Sequence, residues 1–227
     1  MGKKNRILVV DDDRDILDLL QYNLEKEGFH VKSVEDSEKA IEAVMEFNPE
    51  LIILDIMMPH INGIELCRLI RQLPRCKDTY IFFLTARSEF YYQEAAIETG
   101  GDDFIEKIVG LRALTNKVNA VLKRNFIIRK RDPVIHAGKL YLNRRSGVVR
   151  IGTEEIKLSR PEVELLFFFV QNPSKIITAE NLLVNIWGSE IYSATKSIEV
   201  YIKNLTQKLG KNWIVPLGEG RYRLRKH

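Results

Sequence analysis

The feature that most constrains the fold is a regular alternation of short apolar runs with segments of helical periodicity. The strand candidates are Ile7–Val10, Val31–Val34, Leu51–Leu54, Tyr80–Leu84 and Asp103–Glu106. The helix candidates are residues 14–27, 38–47, 63–72, 88–99 and 111–123. Strict alternation predicts a parallel sheet with helices on both faces, because each right-handed crossover packs its helix back onto the sheet. We therefore predict an α/β domain with a five-stranded parallel sheet over residues 1–123.

A second domain is predicted after a charged segment that ends in a proline. Residues 124–133 include Arg129-Lys130-Arg131-Asp132-Pro133 and are interpreted as a linker. Residues 134–158 contain short strand-like pieces with turn signals, which predict a small antiparallel sheet. Three helices follow, two of them starting at the N-cap residues Ser159 and Thr178 and the third covering 194–209. With the closing hairpin, this order predicts an α+β winged helix-turn-helix domain over residues 134–227.

The charge is divided unequally between the two halves. Residues 1–122 hold 15 Lys and Arg against 22 Asp and Glu, a net charge of −7, whereas residues 123–227 hold 20 against 9, a net charge of +11. A basic half beside an acidic half favours a polyanionic partner for the basic half, with nucleic acid the leading candidate.

Several other protein classes are disfavoured by composition. The apolar run Leu165–Val170 is too short to cross a membrane, and the first residues lack the long apolar core of a signal peptide. The two cysteines, Cys67 and Cys76, are too few for a disulfide framework or a zinc site, and we interpret them as reduced thiols. We therefore expect a cytoplasmic protein with no membrane partner.

Carboxylates follow two of the predicted central strands. Asp11, Asp12 and Asp13 stand directly after the first strand, and Asp55 directly after the third. Strand ends of one parallel sheet meet at one edge, and a divalent cation with oxygen ligands, Mg²⁺ or Mn²⁺, is the natural partner of this negative charge. Asp55 is the candidate nucleophile for a phosphoryl group, and the strand-end residues Thr85 and Lys107 offer further donors.

The first domain resembles the receiver domain of two-component response regulators, which has a flavodoxin-like (βα)5 fold. The motifs that carry the resemblance are Val9-Val10-Asp11-Asp12-Asp13, Leu54-Asp55-Ile56-Met57-Met58-Pro59 with Asn62-Gly63, Leu84-Thr85-Ala86-Arg87, and Gly101-Asp102-Asp103-Phe104-Ile105-Glu106-Lys107. The resemblance implies that Asp55 is phosphorylated and that Asp11, Asp12, Asp55 and the backbone carbonyl of Met57 hold the metal. It also implies a switch formed by Thr85 and Phe104, although a plain core aromatic is an equally good interpretation of Phe104.

The second domain resembles the effector domain of OmpR/PhoB-type regulators. The matching segments are Leu158-Ser159-Arg160-Pro161-Glu162, Ile186-Trp187-Gly188, Ser197–Leu205 and Tyr222-Arg223-Leu224. An apolar stripe of Ile198, Ile202, Leu205 and Leu209 is expected to seat the third helix on the core. The helix residues then expected to face solvent and DNA are Lys196, Ser197, Tyr201, Lys203, Asn204 and Lys208. Lys203 and Asn204 are the candidate base readers. The closing turn, Leu217-Gly218-Glu219-Gly220-Arg221-Tyr222, is the wing, and Arg221 is its expected phosphate or minor-groove contact.

The resemblance also implies dimerisation through the fourth helix, fifth strand and fifth helix of the receiver. The residues that fit its charge pairs are Asp102, Asp103, Lys117 and Arg124. Two positions depart from the family pattern: Ile108 replaces the usual proline after the lysine, and Ala113 stands where an acidic partner is common. These departures motivate the hypothesis of a regulator that dimerises and binds DNA without phosphorylation.

These observations together predict a DNA-binding transcription regulator rather than an enzyme. Its expected partners are promoter DNA, a sensor histidine kinase or small phosphodonor, RNA polymerase and a second copy of the chain. An aspartyl-phosphate phosphatase would need a second acid two residues after Asp55, where Met57 stands. A flavodoxin-like electron carrier would need a hydroxyl-rich phosphate loop after the first strand, where the three aspartates lie.

Overall fold

A computed structural model describes residues 5–85, 95–96, 99–107, 111–130, 134–144, 146–187, 195–210 and 213–225. Within these ranges, nothing is described of the side chains of Thr85, Glu106, Ala113, residues 123–130, Trp187 or residues 195–197. The chain divides into two compact units, Met1–Val118 and Asn119–His227.

The first unit contains the predicted five-stranded parallel sheet. Its strands are β1 (Arg6–Val10), β2 (His30–Val34), β3 (Leu51–Asp55), β4 (Tyr80–Thr85) and β5 (Asp103–Glu106), in the spatial order β2-β1-β3-β4-β5. The described helices are α1 (Arg14–Lys26), α2 (Ala40–Phe47), α3 (Gly63–Gln72) and α4 (Leu111–Lys130), and the part of α4 from Asn119 onward belongs to the second unit. Short 3₁₀ turns cover Ser37–Lys39 and Pro74–Cys76. The predicted α/β fold is therefore confirmed.

The central strand β3 is buried at every position, which explains the uninterrupted apolar sequence of Leu51–Leu54. Helix boundaries follow local capping residues. Asp13 accepts hydrogen bonds from the amides of Asp15 and Ile16 and so starts α1. The last helix of this region, predicted over 111–123, continues to Lys130 and so enters the segment that the sequence predicted as a linker.

Beyond its share of α4, the described part of the second unit contains two antiparallel sheets and three helices. The four-stranded sheet consists of β6 (Val134–Ala137), β7 (Leu140–Asn143), β8 (Val148–Ile151) and β9 (Glu154–Lys157), in sequence order. The helices are α5 (Arg160–Gln171), α6 (Ala179–Leu182), which continues into a π-helical turn over Leu183–Trp187, and α7 (Thr195–Leu209). Strands β10 (Ile177–Thr178), β11 (Ile214–Pro216) and β12 (Arg221–Leu224) form the three-stranded sheet, in the order β10-β12-β11. The predicted winged-helix architecture is confirmed.

Candidate functional site

The acidic side chains predicted to meet at one edge of the sheet do lie together. Strands β1 and β3 are parallel neighbours, with Val10 opposite Leu54, so the residues that follow them emerge side by side. Carboxylate oxygens of Asp11, Asp12 and Asp55 all lie within 4.8 Å of one another. Asp11 and Asp55 are buried and Asp12 is exposed, so the pocket opens to solvent on the Asp12 side.

Lys107 joins this pocket from the end of β5. Its Nζ lies 2.8 Å from Oδ2 of Asp11 and 3.0 Å from Oδ1 of Asp55. One ammonium group thus bridges the two buried carboxylates, and the pocket still carries more negative than positive charge. The prediction about Ile108 concerns a residue outside the described ranges.

The electrostatics of the pocket follow from burial and from this bridge. Burial raises the pKa of the Asp55 carboxyl above its ordinary value and Asp11 adds to the rise, although Lys107 opposes it. Burial also acts against the charge of Lys107, but its hydrogen bonds to Asp11 and Asp55 outweigh burial and leave its pKa raised. A further cation beside Asp55 would favour the ionised carboxylate that a nucleophilic role needs.

The loop after Asp55 is held close to the strand that it leaves. The amide of Met57 donates to Oδ2 of Asp55 at 2.8 Å, and the amide of Gly63 donates to the carbonyl of Ile56 at 2.9 Å. A Cβ atom on Gly63 would lie 2.0 Å from the backbone carbonyl oxygen of Asp55, so this close return requires glycine. Asn62 caps α3 by accepting from the amide of Glu65.

The donor set of the pocket fits a hard divalent cation. Three carboxylates and nearby backbone carbonyls are the oxygen ligands that Mg²⁺ uses, and the described pocket presents no thiol or imidazole among the clustered residues. The carboxylates of Asp11, Asp12 and Asp55, with the carbonyl of Met57, would hold such an ion. Metal binding itself stays a prediction.

The two predicted switch residues lie on adjacent strands. Thr85 is the last residue of β4, where its backbone pairs with Glu106 of β5, but its side chain lies outside the description. Phe104 is buried in β5, as both a switch residue and a core aromatic would be.

Three of the four residues predicted for dimerisation form hydrogen bonds or ion pairs within the chain. Oδ2 of Asp102 accepts from Arg71 Nη2 at 2.6 Å and from the amide of Ile81 at 2.9 Å. Asp103 forms a buried ion pair with Lys117, whose Nζ lies 2.8 Å from Oδ2 of Asp103. Asp102, Asp103 and Lys117 are thus buried and paired within the chain, and their part in dimerisation stays a prediction. The side chain of Arg124 lies outside the described set.

The third helix of the second unit presents a different polar face from the predicted one. The stripe of Ile198, Ile202, Leu205 and Leu209 is buried as expected. Tyr201, however, is fully buried, so its prediction as a solvent-facing residue is wrong. Its position one residue before Ile202 widens the buried face, and the ring adds a large apolar area to the core.

Lys208 is exposed but serves an internal contact. Its Nζ lies 2.7 Å from Oε2 of Glu162, and the same oxygen accepts from the amide of Ser159 at 2.7 Å. The lysine therefore fastens the end of α7 to the start of α5, a role that competes with the predicted DNA contact. Lys203 is exposed and Asn204 half-buried, which leaves both accessible, whereas the side chains of Lys196 and Ser197 lie outside the description.

The wing carries an acidic partner that the sequence reasoning did not single out. Arg221 is exposed, and its Nη2 lies 2.8 Å from Oε2 of Glu219. The signal was present in Gly218-Glu219-Gly220-Arg221, because a turn brings residues two apart together. Arg71 and Ser37 were missed for another reason, since their contacts join segments far apart in sequence.

In the described part of the chain, no helix combines the length and the apolar character needed to cross a membrane.

Comparisons with known proteins agree for both units. A family model described as the response regulator receiver domain matches residues 7–119, and one described as the C-terminal part of transcriptional regulatory proteins matches residues 153–217. The phosphate regulon transcriptional regulatory protein PhoB of Rhizobium meliloti is 33% identical over 204 residues, covering 90% of this chain and 89% of that protein. The response regulator ArlR of Staphylococcus aureus is 30% identical over 204 residues, covering 90% of both chains. A solved structure of a RitR mutant matches with a TM-score of 0.69 at 25% identity, covering 98% of this chain and all of that one.

Proposed function

The chain belongs to the OmpR/PhoB family of two-component response regulators, which bind DNA, and from this premise we propose that phosphorylation of Asp55 controls its activity. The observation that carries the proposal is the convergence of Asp11, Asp12 and Asp55 at one edge of the parallel sheet, where Lys107 bridges Asp11 and Asp55. This is the arrangement that a carboxylate nucleophile and a polyanionic phosphoryl group require, with cations facing the charge that accumulates.

In the proposed reaction, a carboxylate oxygen of Asp55 attacks the phosphorus atom of a phosphohistidine or of a small acyl phosphate. A new P–O bond forms to Asp55, and the bond from phosphorus to the donor's nitrogen or oxygen breaks, with its electron pair leaving on the donor. The carboxylates of Asp11, Asp12 and Asp55 would hold Mg²⁺, which would neutralise charge on the phosphoryl oxygens. Lys107 lies 3.0 Å from Asp55, within reach of the same oxygens. Hydrolysis of the acyl phosphate returns the carboxylate and inorganic phosphate.

The remaining proposed properties rest on the family. Thr85 and Phe104 would carry the phosphorylation signal, and the phosphorylated protein would dimerise, bind promoter DNA and contact RNA polymerase in the cytoplasm. The donor would be a sensor histidine kinase or a small phosphodonor. In the second unit, Lys203, Asn204 and Arg221 are the accessible candidates for DNA contacts.

The test is mass spectrometry of the full chain after incubation with acetyl phosphate and Mg²⁺. We expect one added phosphoryl group in the wild type and none in Asp55→Asn or in the presence of EDTA. Asp18→Asn is the matched control, because Asp18 is an exposed carboxylate on α1, and it should be labelled like the wild type. An unlabelled wild type that still binds DNA would contradict the proposal and favour a regulator that works without phosphorylation.

A further inference from the structure

Ser37 is a buried residue that connects the loop between β2 and α2 to the loop between β3 and α3. It begins the 3₁₀ turn between β2 and α2 and is only 3% exposed. Its hydroxyl donates to the carbonyl of Pro59 at 2.8 Å and accepts from the amide of Ile61 at 3.3 Å. One side chain thus uses both of its hydrogen-bonding capacities on the loop that follows Asp55.

The position of Ser37 is itself fixed by its neighbour. Asp36 caps the 3₁₀ turn, accepting from the amide of Glu38 at 2.9 Å, and its carbonyl accepts from the amide of Lys39 at 3.0 Å. This cap and the ion pair between Asp36 and Lys39 set the turn before Ser37 reaches across to the other loop. The hydroxyl is therefore presented by a preformed turn.

The loop that Ser37 contacts needs support in its middle. Its start is held by the bond from the Met57 amide to Asp55, and its end by the return of Gly63 to Ile56. Between these anchors stands His60, a non-glycine residue with a left-handed backbone, φ 63°. Such a conformation is unfavourable for a residue with a Cβ atom and persists where surrounding contacts hold it. The two bonds from Ser37 fall on the residues immediately before and after His60.

We infer that Ser37 is a positioning residue for the metal site, acting through the loop that carries the carbonyl of Met57. The inference rests on the proposed function, since it concerns the same pocket. Pro59 is two residues from Met57, so anchoring Pro59 limits how far the Met57 carbonyl can move when the loop fluctuates. Residues that orient a metal ligand from behind commonly change metal affinity by about tenfold or more when they are removed.

The experiment is a calorimetric titration of the full chain with Mg²⁺, without phosphodonor. We expect Ser37→Ala to bind Mg²⁺ about tenfold more weakly than the wild type. Ser33→Ala is the matched control, because Ser33 is a partly buried serine on β2 whose hydroxyl donates to Gln21 at 2.8 Å, away from the loop. Its dissociation constant should stay within about twofold of the wild type. Thermal melting in EDTA reports separately on folding.

A second measurement uses the wild type alone and so does not depend on how Ser37→Ala folds. Binding and loop order are coupled reciprocally, so saturating Mg²⁺ should slow hydrogen exchange at the Ile61 amide, which donates to Ser37. Exchange that is unchanged by Mg²⁺, equal affinities in Ser37→Ala and the wild type, or an equal loss in Ser33→Ala would overturn the inference. A wild type that binds no Mg²⁺ would contradict the proposed function as well.

Discussion

At the scale of single residues, the most informative group is the Asp55 carboxyl. Burial raises its pKa, so the folded protein holds the proton more tightly than the unfolded chain does. As the pH rises through the ordinary range of an aspartate, the unfolded chain loses its proton first, and the stability of the fold decreases. The decrease is complete once the pH exceeds the raised pKa of the folded state. An ionised Asp55 is therefore a stability cost at neutral pH.

We expect Asp55→Asn to increase the free energy of unfolding of the metal-free protein at neutral pH by about 1 kcal/mol, because asparagine cannot ionise. Asparagine keeps an oxygen that can accept from the Met57 amide, and Lys107 keeps its contact with Asp11. The measurement is thermal unfolding in EDTA from about pH 4 to about pH 7, with the gap between variant and wild type growing as pH rises. Asp18→Asn, an exposed carboxylate, should show no such growth. A gap that is constant or shrinks with pH would contradict the raised pKa.

At the scale of elements, much of the site was predictable because strand ends are readable from sequence. Asp11 and Asp55 follow apolar runs, and the rule that parallel strands end at one edge is enough to bring them together. The predicted helix start at Thr178 holds for the same reason, since its side chain caps the helix that follows it. Local chemistry decides these features, so local sequence reveals them.

Side-chain partners across elements were not predictable in the same way. Asp103 and Lys117 are opposite charges fourteen positions apart, and the sequence gives their signs but not whether they pair within the chain or between chains. Tyr201 has both a phenol hydroxyl and a large apolar ring, so its residue type is compatible with either side of α7. Packing decides both cases, and packing depends on the whole unit.

The wing hairpin offers a prediction at this scale. The ion pair of Arg221 with Glu219 is exposed, so it contributes little stability and Arg221 can exchange Glu219 for a phosphate. We expect Glu219→Gln to tighten binding to a mixed-sequence DNA duplex about two- to fivefold at low salt, because a negative charge beside the polyanion is removed. Arg221→Ala should weaken binding and reduce the salt slope of the logarithm of the affinity by about one.

The control for the wing is Glu154→Gln, which makes the same charge change at an exposed position of the four-stranded sheet. Binding is followed by fluorescence anisotropy over a series of salt concentrations. An equal gain from Glu154→Gln would mean that overall charge, and not the wing contact, sets the affinity. An unchanged salt slope in Arg221→Ala would remove Arg221 from the interface.

At the scale of the whole molecule, the two halves of the chain differ in net charge in the way that their proposed functions require. The acidic first half contains the pocket that would receive a cation and a phosphoryl group, and the basic second half contains the helix and wing that would meet DNA. Dimerisation would connect the two activities. Three of the four residues that the family resemblance assigns to the dimer face, Asp102, Asp103 and Lys117, are nevertheless paired within this chain, so a dimer that used them would require an exchange of partners.

Substitutions in the buried pair of Asp103 and Lys117 test directly whether these partners are exchanged between copies. Lys117→Met should decrease the free energy of unfolding by roughly 3–5 kcal/mol, since it leaves the Asp103 carboxylate buried without its cation. Adding Asp103→Asn should recover most of this loss, because asparagine can still accept from the Phe104 amide, which now donates to Asp103 at 2.8 Å, and no charge remains buried. Denaturant unfolding of both variants and the wild type measures these differences.

If the pair stays within one chain, the doubly substituted protein should also dimerise after acetyl phosphate treatment as strongly as the wild type, measured by sedimentation velocity. A double variant that is stable as a monomer, but that no longer dimerises under conditions where the wild type does, would show that the pair is exchanged between copies.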